Sequence, residues 1–498
     1  MNGRIRKTKK TPRRTIKAEM ESAAAVTLDD RRFDLFLARD RASDGKFLTG
    51  VLTTGIYCLP SCPAKRPRRE NVRFFRTPAE AQRNGLRPCR RCRPDWFYRG
   101  EEWHENLYEQ TAARVRNAPA AFPDINAIAA TSGLSRTALN DLFRDHAHES
   151  PGAFLRRIRV DHAARLIESG AKPADAAAAA GFESASAFHE CFRAGTGLTP
   201  GAYAGLAGAT AFTVRLPAHY RFQEVLDFYG RDPQSVSEAV FPDGLCKAFL
   251  IDGEPASVEI SFDGNAAACR VDGNSYASHR AIVRMLGLGA DAAAFERQFA
   301  GDPLLGRLIE RQSGLHIPLT PHPWEALAWA IMGQQISLKA AVALRRELIT
   351  AFGLPHATGL RAHPSAEVIA GLSVETLRPL KFSNSKAEYL IAAARAVASG
   401  ELPIASLRDL SARHAARLLS NVRGIGPWTV QYAFLRGLGF ADCLPSGDAG
   451  LAQGLGRLGG ERPGEPEIRE TMARFTPYRS LATYHIWASL KGKENDAA

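Results

Sequence analysis

The feature that most constrains the fold is a cluster of four cysteines near the start of the chain. Cys58 and Cys62 form one close pair, and Cys89 and Cys92 form a second pair after 26 intervening residues. Two close pairs, each presenting its thiolates from one turn, satisfy the tetrahedral coordination of a single Zn²⁺. The first residues, Met1–Lys17, are basic and lack the apolar stretch of a secretory signal, so we expect a cytoplasmic protein. In the reducing cytoplasm, clustered cysteines indicate a metal site rather than disulfide bonds. The spacing predicts a four-cysteine zinc domain, and a structural or a reactive site remains open at this point.

The length and composition predict a multidomain globular protein. A chain of 498 residues corresponds to roughly three or four domains, and its hydrophobic content of 45% is enough for several cores. No apolar run approaches the roughly 18 residues of a membrane-spanning helix. We therefore expect a cytoplasmic protein without membrane association.

The positive charge is concentrated in the first fifth of the chain. Residues 1–100 contain 25 Lys and Arg against 10 Asp and Glu, whereas the whole chain has a net charge of +13. Such a patch attracts polyanions, of which DNA is the commonest. The basic tail, 1–26, is either a solvated flexible segment or a weak DNA contact.

The residues around the cysteines narrow the interpretation of the zinc site. The segments Thr53-Thr-Gly-Ile-Tyr-Cys58, Pro60-Ser-Cys62 and Arg87-Pro-Cys-Arg-Arg-Cys92 resemble the zinc domain of the bacterial Ada adaptive-response proteins. The resemblance implies that Cys58 accepts a methyl group from a DNA methylphosphotriester and is consumed, while Cys62, Cys89 and Cys92 remain ligands. A metal-bound thiolate is suited to this attack. Candidates for phosphate contacts, or else ordinary surface charge, are Arg66, Arg68, Arg69, Arg90, Arg91 and Arg93.

Residues 105–205 show two copies of a helix, a glycine-containing turn and a second helix. The turn glycines are Gly133 and Gly181, and a tandem arrangement of this kind places two recognition helices in successive major grooves. The segment 186–203 resembles the end of AraC-type DNA-binding domains, which also follow the zinc domain in Ada proteins. Residues 101–205 carry 10 positive and 13 negative residues, so we expect the DNA affinity of this domain to rely on the neighbouring zinc domain. The candidate DNA-facing residues are Ser135, Arg136, Asn140, Ser184, Ser186 and His189.

Between about 210 and 300, Asp-Gly pairs at regular intervals separate alternating apolar and polar residues. Pairs begin at Asp243, Asp252, Asp263 and Asp272, and this pattern predicts antiparallel hairpins. We expect a small α+β domain without catalytic residues of its own.

A glycine-rich turn marks the C-terminal domain. Gly424 and Gly426 allow a tight hairpin whose backbone N–H groups approach a phosphate, and Pro427 suits the first turn of the following helix. Together with Met332-Gly-Gln-Gln-Ile-Ser337, Leu444-Pro-Ser-Gly-Asp448 and the segment 477–487, this turn resembles the AlkA type of 3-methyladenine DNA glycosylase. The resemblance implies a helix-hairpin-helix domain in which Asp448 is the catalytic carboxylate. A helix cap is the alternative role for Asp448.

One carboxylate suffices for this chemistry because an alkylated purine is already cationic and leaves readily. A flipped cationic base gains from aromatic stacking, and Trp428 and Tyr432 lie at i and i+4 on one helix face. Tyr478 and Trp324 are further candidates for the pocket wall, with core packing as the alternative for Trp324.

Two departures from the relatives refine the expected mechanism. Lyase-active relatives carry a lysine at the position of Trp428, so we expect a monofunctional hydrolytic enzyme. Gln335 stands where AlkA inserts an apolar wedge into the duplex, and this leaves the identity of the wedge open. We expect neither an iron–sulfur cluster nor O6-methylguanine transfer, because the cysteine motifs of both are missing.

The sequence thus predicts a multidomain α+β protein that senses and repairs alkylated DNA. The expected partners are double-stranded DNA, as alkylated DNA and as promoter DNA, and RNA polymerase. We expect a bacterial protein that is monomeric and associated with the nucleoid through DNA. The alternatives are a transcription regulator with a non-catalytic glycosylase-like half, and a repair enzyme whose zinc is only structural. The predicted segments are a basic tail (1–26), the zinc acceptor domain (27–100), an all-α tandem helix-turn-helix domain (105–205), an antiparallel-sheet α+β domain (210–300) and an all-α helix-hairpin-helix glycosylase domain (301–492).

Overall fold

The computed structural model describes residues 27–100 and 102–490. The predicted basic tail, 1–26, lies outside the described residues. The chain divides into two compact units, Met1–Asn106 and Leu107–Ala498. Among the described residues, no helix combines the length and the apolar character needed to cross a membrane.

The first unit is a small four-stranded sheet flanked by short helices. The sheet order is β3-β1-β2-β4, with β1 antiparallel to both β2 and β3 and with β2 parallel to β4. Gly50 on β1 has no room for a side chain, because a Cβ there would lie 2.4 Å from the ring of Phe75. The elements are α1 (Leu28–Leu37), β1 (Leu48–Val51), β2 (Ile56–Cys58), β3 (Val72–Phe75), α2 (Pro78–Arg83), β4 (Arg87–Pro88) and α3 (Pro94–Phe97).

The helix-turn-helix prediction is confirmed as seven helices. Gly133 ends α5 with φ of 68°, and Gly181 follows α8 with φ of 83°, the left-handed conformation that glycine adopts without strain. The long helix α7 joins the two copies, since its first half packs in the core of the first and its second half in the core of the second. The elements are α4 (Trp103–Asn117), α5 (Ile125–Ser132), α6 (Arg136–Ala147), α7 (Pro151–Glu168), α8 (Pro173–Ala179), α9 (Ala185–Thr196) and α10 (Pro200–Ala204).

The predicted antiparallel hairpins are also confirmed. A five-stranded sheet has the order β5-β9-β8-β7-β6, and Asp252 and Gly253 form the tight turn between β7 and β8 with φ of 52° and 86°. The elements are β5 (Ala211–Arg215), α11 (Gln223–Tyr229), β6 (Glu238–Phe241), β7 (Gly244–Ile251), β8 (Glu254–Asp263), β9 (Ala266–Val271), α12 (Ser275–Met285), α13 (Ala292–Phe299) and α14 (Gly306–Arg311).

The core of the helical domain includes side chains from before residue 301, where the domain was predicted to begin. Phe295 and Phe299 lie on the apolar face of α13 and pack in the same core as Leu327 and Phe434. Two short strands form a two-residue ladder in this otherwise helical domain. Its elements are α15 (Pro323–Gly333), α16 (Leu338–Phe352), β10 (Leu354–Pro355), β11 (Arg361–Ala362), α17 (Ala366–Ala370), α18 (Val374–Leu377), α19 (Asn384–Ala398), α20 (Ala412–Ser420), α21 (Pro427–Ala433), a π-helical turn (Phe434–Leu438), α22 (Ala449–Gly459), α23 (Glu465–Ala473) and α24 (Arg479–Ala488).

A buried ionic cluster fastens the sheet to the helical domain. Arg345 on α16 donates to both carboxylate oxygens of Glu238 on β6, at 2.7 and 2.9 Å. Lys247 on β7 lies 3.3 Å from Glu238 and 3.4 Å from Glu325 on α15. Although burial opposes ionisation, the charges of Arg345 and Lys247 hold the pKa of Glu238 well below its usual range. The helices α15 and α16, which flank the turn that carries Gln335, are thereby held against the sheet.

Candidate metal centre, DNA interface and active site

The four clustered cysteines converge at one point of the first unit. Cys58 ends β2, and Cys89 follows β4 beside it, so the parallel pairing of these two strands brings the two cysteine pairs together. The four sulfur atoms lie within 4.8 Å of one another, and Sγ of Cys62 is 4.0 Å from Sγ of Cys89. Tetrahedral zinc with Zn–S bonds of about 2.3 Å requires S–S separations of about 3.8 Å. The donor set therefore fits one Zn²⁺.

The protein surroundings support thiolates at this site. The backbone N–H of Leu59 donates to Sγ of Cys92, and that of Arg91 donates to Sγ of Cys89, both at 3.4 Å. Without a cation, four adjacent thiols cannot all ionise, and hydrogen bonds among them raise the pKa of Cys58 and Cys92 and lower that of Cys62 and Cys89. A divalent cation removes this conflict, and zinc bound here would keep all four groups deprotonated.

Three of the six arginines predicted to contact phosphate have different surroundings. Arg66 donates to the carbonyl of Cys62 at 3.0 Å and lies 4.0 Å over the ring of Phe36. Arg69 donates to Asp30 at 3.3 Å and packs against two further aromatic rings. Arg68 is exposed and approaches only Glu70, at 3.7 Å. Arg66 and Arg69 thus help to build the domain, and Arg68 is the most accessible of the three.

The recognition helices α6 and α9 expose the residues predicted to face DNA. Ser135 caps α6 by accepting from the N–H of Ala138, and Ser184 caps α9 in the same way. The predicted DNA-facing residues, all exposed, are Ser135, Arg136, Asn140, Ser184, Ser186 and His189.

The predicted hairpin lies between α20 and α21. Gly424 has φ of 87°, and a Cβ there would lie 2.1 Å from the ring of Tyr389, so the turn needs glycine for two reasons. A Cβ at Gly426 would meet no atom within 4 Å. The chain itself gives no steric reason for Gly426, and open space lies before its backbone, as close approach of a phosphate requires.

The sequence did not single out Gln334, which ties this hairpin to the neighbouring turn. Its amide donates to the carbonyl of Gly424 and to Oγ1 of Thr429, both at 2.9 Å, while Lys386 donates to its backbone carbonyl. The next residue, Gln335, is exposed and has φ of 54°, a conformation uncommon for residues with a side chain. Gln335 is therefore presented from a turn that is fixed relative to the hairpin.

Asp448 is the N-cap of α22 and also the centre of an aromatic site. Its Oδ1 accepts from the N–H of Leu451 at 2.8 Å and from the indole Nε1–H of Trp487 at 2.9 Å. Its Oδ2 accepts from the indole Nε1–H of Trp428 at 3.1 Å. Gly450 leaves room for this arrangement, since a Cβ there would lie 3.1 Å from Oδ1. Asp448 therefore caps α22 as considered from the sequence, and the same geometry holds its carboxylate beside aromatic side chains.

Three aromatic rings stand together beside this carboxylate. The rings of Trp428 and Tyr432 stack with centroids 5.3 Å apart, and Tyr432 lies 6.4 Å from Trp487. All three side chains are partly exposed. The prediction did not include Trp487 as a site residue, although it closes the segment 477–487 that carried the resemblance.

The structure places two other predicted pocket residues elsewhere. Trp324 is 3% exposed within the core, and its indole N–H donates to the carbonyl of Pro364 at 3.1 Å. Core packing, the alternative interpretation, describes this environment. Tyr478 is partly exposed, and its ring approaches Phe295 and Phe299 at 6.1 and 6.4 Å. Among the described residues, neither Trp324 nor Tyr478 forms an aromatic pair with Trp428, Tyr432 or Trp487.

Comparison with known protein families agrees with this geometry. Residues 31–95 match the metal binding domain of Ada, 128–205 match a helix-turn-helix domain, and 328–477 match the HhH-GPD superfamily of base excision DNA repair proteins. A Mycobacterium tuberculosis protein described as a probable bifunctional transcriptional activator/DNA repair enzyme AlkA is 30% identical over 494 residues. The match covers 94% of this chain and 97% of the relative. The chain belongs to this AlkA family of bifunctional activators and repair enzymes.

Other relatives match the two halves of the AlkA-family chain separately. The bifunctional transcriptional activator/DNA repair enzyme Ada of Escherichia coli is 31% identical over 34% of this chain and 47% of its own length. A DNA-3-methyladenine glycosylase of Bacillus subtilis is 34% identical over 41% of this chain and 69% of its own. A solved 3-methyladenine DNA-glycosylase from Archaeoglobus fulgidus has the same fold over 56% of this chain and 97% of its own, with a TM-score of 0.51 at 23% identity.

The AlkA-family protein thus combines an Ada-type zinc domain with one Zn²⁺, an AraC-type helix-turn-helix domain and a DNA glycosylase domain of the HhH-GPD type. DNA is the common partner of these domains.

The zinc domain is small, and its described apolar core consists of Leu48, Tyr57, Leu59, Phe75, Ala81 and Leu86.

Removing the metal is expected to unfold this domain. A core of this size stabilises a domain weakly, and binding of structural zinc supplies folding free energy directly. Chelation should make residues 27–100 sensitive to protease, and added Zn²⁺ should restore their resistance. The second unit contains none of the four ligands and is the internal control. Unchanged protease resistance of residues 27–100 in the metal-free protein would contradict the prediction.

Proposed function

We propose that the glycosylase domain releases alkylated purines, of the 3-methyladenine and 7-methylguanine class, by monofunctional hydrolysis, and that Cys58 accepts methyl groups from DNA methylphosphotriesters. One observation carries the first part: a single carboxylate, Asp448, is held by the indole N–H groups of Trp428 and Trp487 beside a stack of partly exposed rings. This geometry joins a fixed negative charge to an aromatic surface that suits a cationic base.

Each group has a distinct role in the proposed excision. The rings of Trp428, Tyr432 and Trp487 contact the flipped base, whose positive charge strengthens the stacking. As the bond between the sugar and the base breaks, the base leaves with the electron pair and becomes neutral. The carboxylate of Asp448 then stabilises the positive charge that develops on the sugar. Water adds to the sugar carbon and releases one proton to solvent. Trp428 stands where lyase-active relatives carry lysine, and this supports hydrolysis without a Schiff base.

The DNA is positioned by elements around this site. We assign phosphate binding to the backbone of Gly424 and Gly426, and insertion into the duplex to Gln335. The bond from Gln334 to the hairpin keeps these two contacts at a constant separation. Expelling a base from the stack costs a few kcal/mol, and an inserted side chain offsets part of that cost.

The indole hydrogen bonds to Asp448 provide a specific test. In Trp487→Phe the ring remains but one N–H donor to the carboxylate is lost, so the rate of base release should fall by about 10- to 100-fold, as expected for a hydrogen bond to a charged group. Single-turnover release from methylated DNA measures this rate. The matched control is Trp324→Phe, which removes an indole N–H bonded to a core carbonyl. An equal fall in both variants would contradict the assigned geometry and favour a pocket role for Trp324.

The proposed methyl transfer uses Cys58 once. Its sulfur bonds to the methyl carbon while the bond between that carbon and the phosphate oxygen breaks, and the oxygen keeps the electron pair as a restored phosphodiester. The site loses one negative charge, which favours docking on DNA. Arg66, Arg68 and Arg69 are the proposed phosphate contacts. The AraC-type domain, through Ser135, Arg136, Ser186 and His189, would then bind promoters of repair genes and act with RNA polymerase.

One sample of methylated DNA tests both activities. Released bases are identified by chromatography, and the intact mass of the protein shows whether one methyl group has been added. Release of methylated purines together with a methyl adduct on Cys58 is the expected result. A protein that gains a methyl group without releasing bases would be a regulator with a non-catalytic glycosylase half. Base release without an adduct would leave the zinc site structural.

A further inference from the structure

The first helix-turn-helix copy makes polar contacts with the glycosylase domain at the C-terminal end of α6. Nδ1 of His146 and Oγ of Ser411 lie 2.9 Å apart and share a hydrogen bond. Arg408 donates to the carbonyl of Ala147 at 3.1 Å. Burial lowers the pKa of His148 to about 4, so its neutral ring accepts from the backbone N–H of Asp442 at 3.3 Å.

The second copy is attached in the same way, at the C-terminal end of α9. Nε2 of His279 on α12 donates to the carbonyl of Thr196 at 2.8 Å, and the N–H of Arg215 on β5 donates to the carbonyl of Gly197, also at 2.8 Å. Gly197 has φ of 71°, and a Cβ there would lie 2.4 Å from Val214. This close approach tolerates only glycine.

Both recognition helices are thus anchored at their C-terminal ends. Residues near the N-terminus of a recognition helix are the ones that contact bases. At these ends Ser135 and Arg136 on the first copy, and Ser186 on the second, are exposed. The first copy is attached to the helical glycosylase domain and the second copy to the sheet domain, and both attachments leave the DNA-reading ends open.

The glycosylase hairpin is connected to the same contact region. Ser411, the N-cap of α20, donates its backbone N–H to Glu109 at 3.1 Å, and Nδ1 of His414 lies 2.8 Å from the same carboxylate oxygen. The hairpin follows the other end of α20. At 1.5 Å per residue, α6 and α20 are roughly 18 and 14 Å long. The DNA-contacting ends of these two helices therefore lie within about one turn of duplex DNA, roughly 34 Å.

The charges of the helix-turn-helix domain also indicate that it does not act alone. Three of its positive residues are committed to contacts within the protein: Arg116 donates to the carbonyl of Asp409 in the glycosylase domain, while Arg157 pairs with Glu149 and Arg159 donates to the carbonyl of Phe122. Because phosphate contacts supply most of the affinity for DNA, a domain with few free cations binds weakly by itself. A rigid connection to a second DNA-binding domain raises its effective concentration at the duplex.

We propose that the AraC-type domain is part of the DNA-binding surface of the glycosylase, so that excision of damaged bases away from any promoter depends on helix-turn-helix contacts. The inference rests on the proposed excision activity. In this arrangement the second unit binds a single duplex through α6, α9 and the hairpin. This binding is in addition to any role in transcription.

The test uses the full-length protein and a duplex of about 25 base pairs, longer than two helical turns, with one methylated purine and no promoter sequence. Arg136→Glu should raise KM and Kd about tenfold, leave kcat unchanged, and reduce the salt dependence of binding by about one phosphate contact. The matched control is Arg165→Glu, the same charge reversal at an exposed position of α7. This control should leave both KM and Kd unchanged.

A KM and a Kd for Arg136→Glu equal to those of the wild type would overturn the inference. Equal losses in Arg136→Glu and Arg165→Glu would also overturn it, since they would show only a general charge effect. Because Kd is measured on the same duplex, a wild type that excises nothing would defeat the proposed excision alone. The dependence of Kd on Arg136 would still decide the inference.

Discussion

Asp448→Asn is expected to lower the rate of base release by about 10³-fold, which is the scale of losing one preorganised electrostatic group. The substitution keeps the size of the side chain but removes the negative charge that faces the developing positive charge on the sugar. It also disturbs the donors around it. Three N–H groups, from Leu451, Trp428 and Trp487, converge on the two carboxylate oxygens. An asparagine offers one accepting oxygen and one donating amide, so at least one indole N–H loses its partner.

The control separates catalysis from helix capping. Asp291 caps α13 by accepting from the N–H of Ala294 at 2.9 Å, and it is exposed. Since asparagine caps helices about as well as aspartate, both Asp291→Asn and Asp448→Asn should remain folded, and only Asp448→Asn should lose activity. Melting temperatures and single-turnover base release are the measurements. A variant at Asp448 that keeps wild-type release would show that this residue serves only as a cap.

Cys58→Ser is expected to abolish methyl transfer from methylphosphotriesters completely. A serine hydroxyl stays protonated at neutral pH and does not attack a methyl carbon as a thiolate does. The intact mass of the protein after incubation with methylated DNA measures the transfer, and metal analysis of the same sample reports zinc. Cys191→Ser, at a partly buried position of α9, is the matched control and should gain the methyl group as the wild type does.

Zinc content distinguishes the chemical from the structural consequences. Cys62→Ser removes a ligand that is 1% exposed, so it should lose both zinc and methyl transfer through loss of the fold. A Cys58→Ser protein that retains zinc or protease resistance but gains no methyl group has lost methyl transfer without losing its fold. Methylation of a Cys58→Ser protein would contradict the assignment of the acceptor. A wild type that gains no methyl group would leave all four cysteines as structural ligands.

Several elements could be predicted because they depend on local sequence. Gly133 and Gly181 mark helix ends, since left-handed backbone at these positions favours glycine, and Asp252-Gly253 predicts a tight hairpin for the same reason. Pro427 begins α21 as expected, which places Trp428 and Tyr432 one helical turn apart. The stacking of these two rings follows from helical periodicity and needs no knowledge of the rest of the fold.

Other features depend on contacts between distant segments. Trp487 reaches Asp448 across 39 residues, and Gln334 reaches Gly424 across 90. No local pattern reports either contact. Residues before the predicted boundary at 301 also pack with the helical domain. The apolar face of α13 is typical of a helix in the sequence, but only packing shows that Phe295 and Phe299 belong to the helical core.

The sequence by itself determined the four-cysteine zinc site, because two close cysteine pairs are residue types at short spacing. Its resemblance to the Ada, AraC and AlkA families predicted the order of the domains and Asp448 as the candidate carboxylate. Only the tertiary structure decided how Asp448 is held, where Trp324 packs, and that the helix-turn-helix domain and the glycosylase belong to one compact unit. The physical reason is the range of the interactions. Caps, turns and cysteine pairs act within a few residues, whereas the hydrogen bond between His146 at the end of α6 and Ser411, the N-cap of α20, links groups 265 residues apart and exists only once both domains have folded.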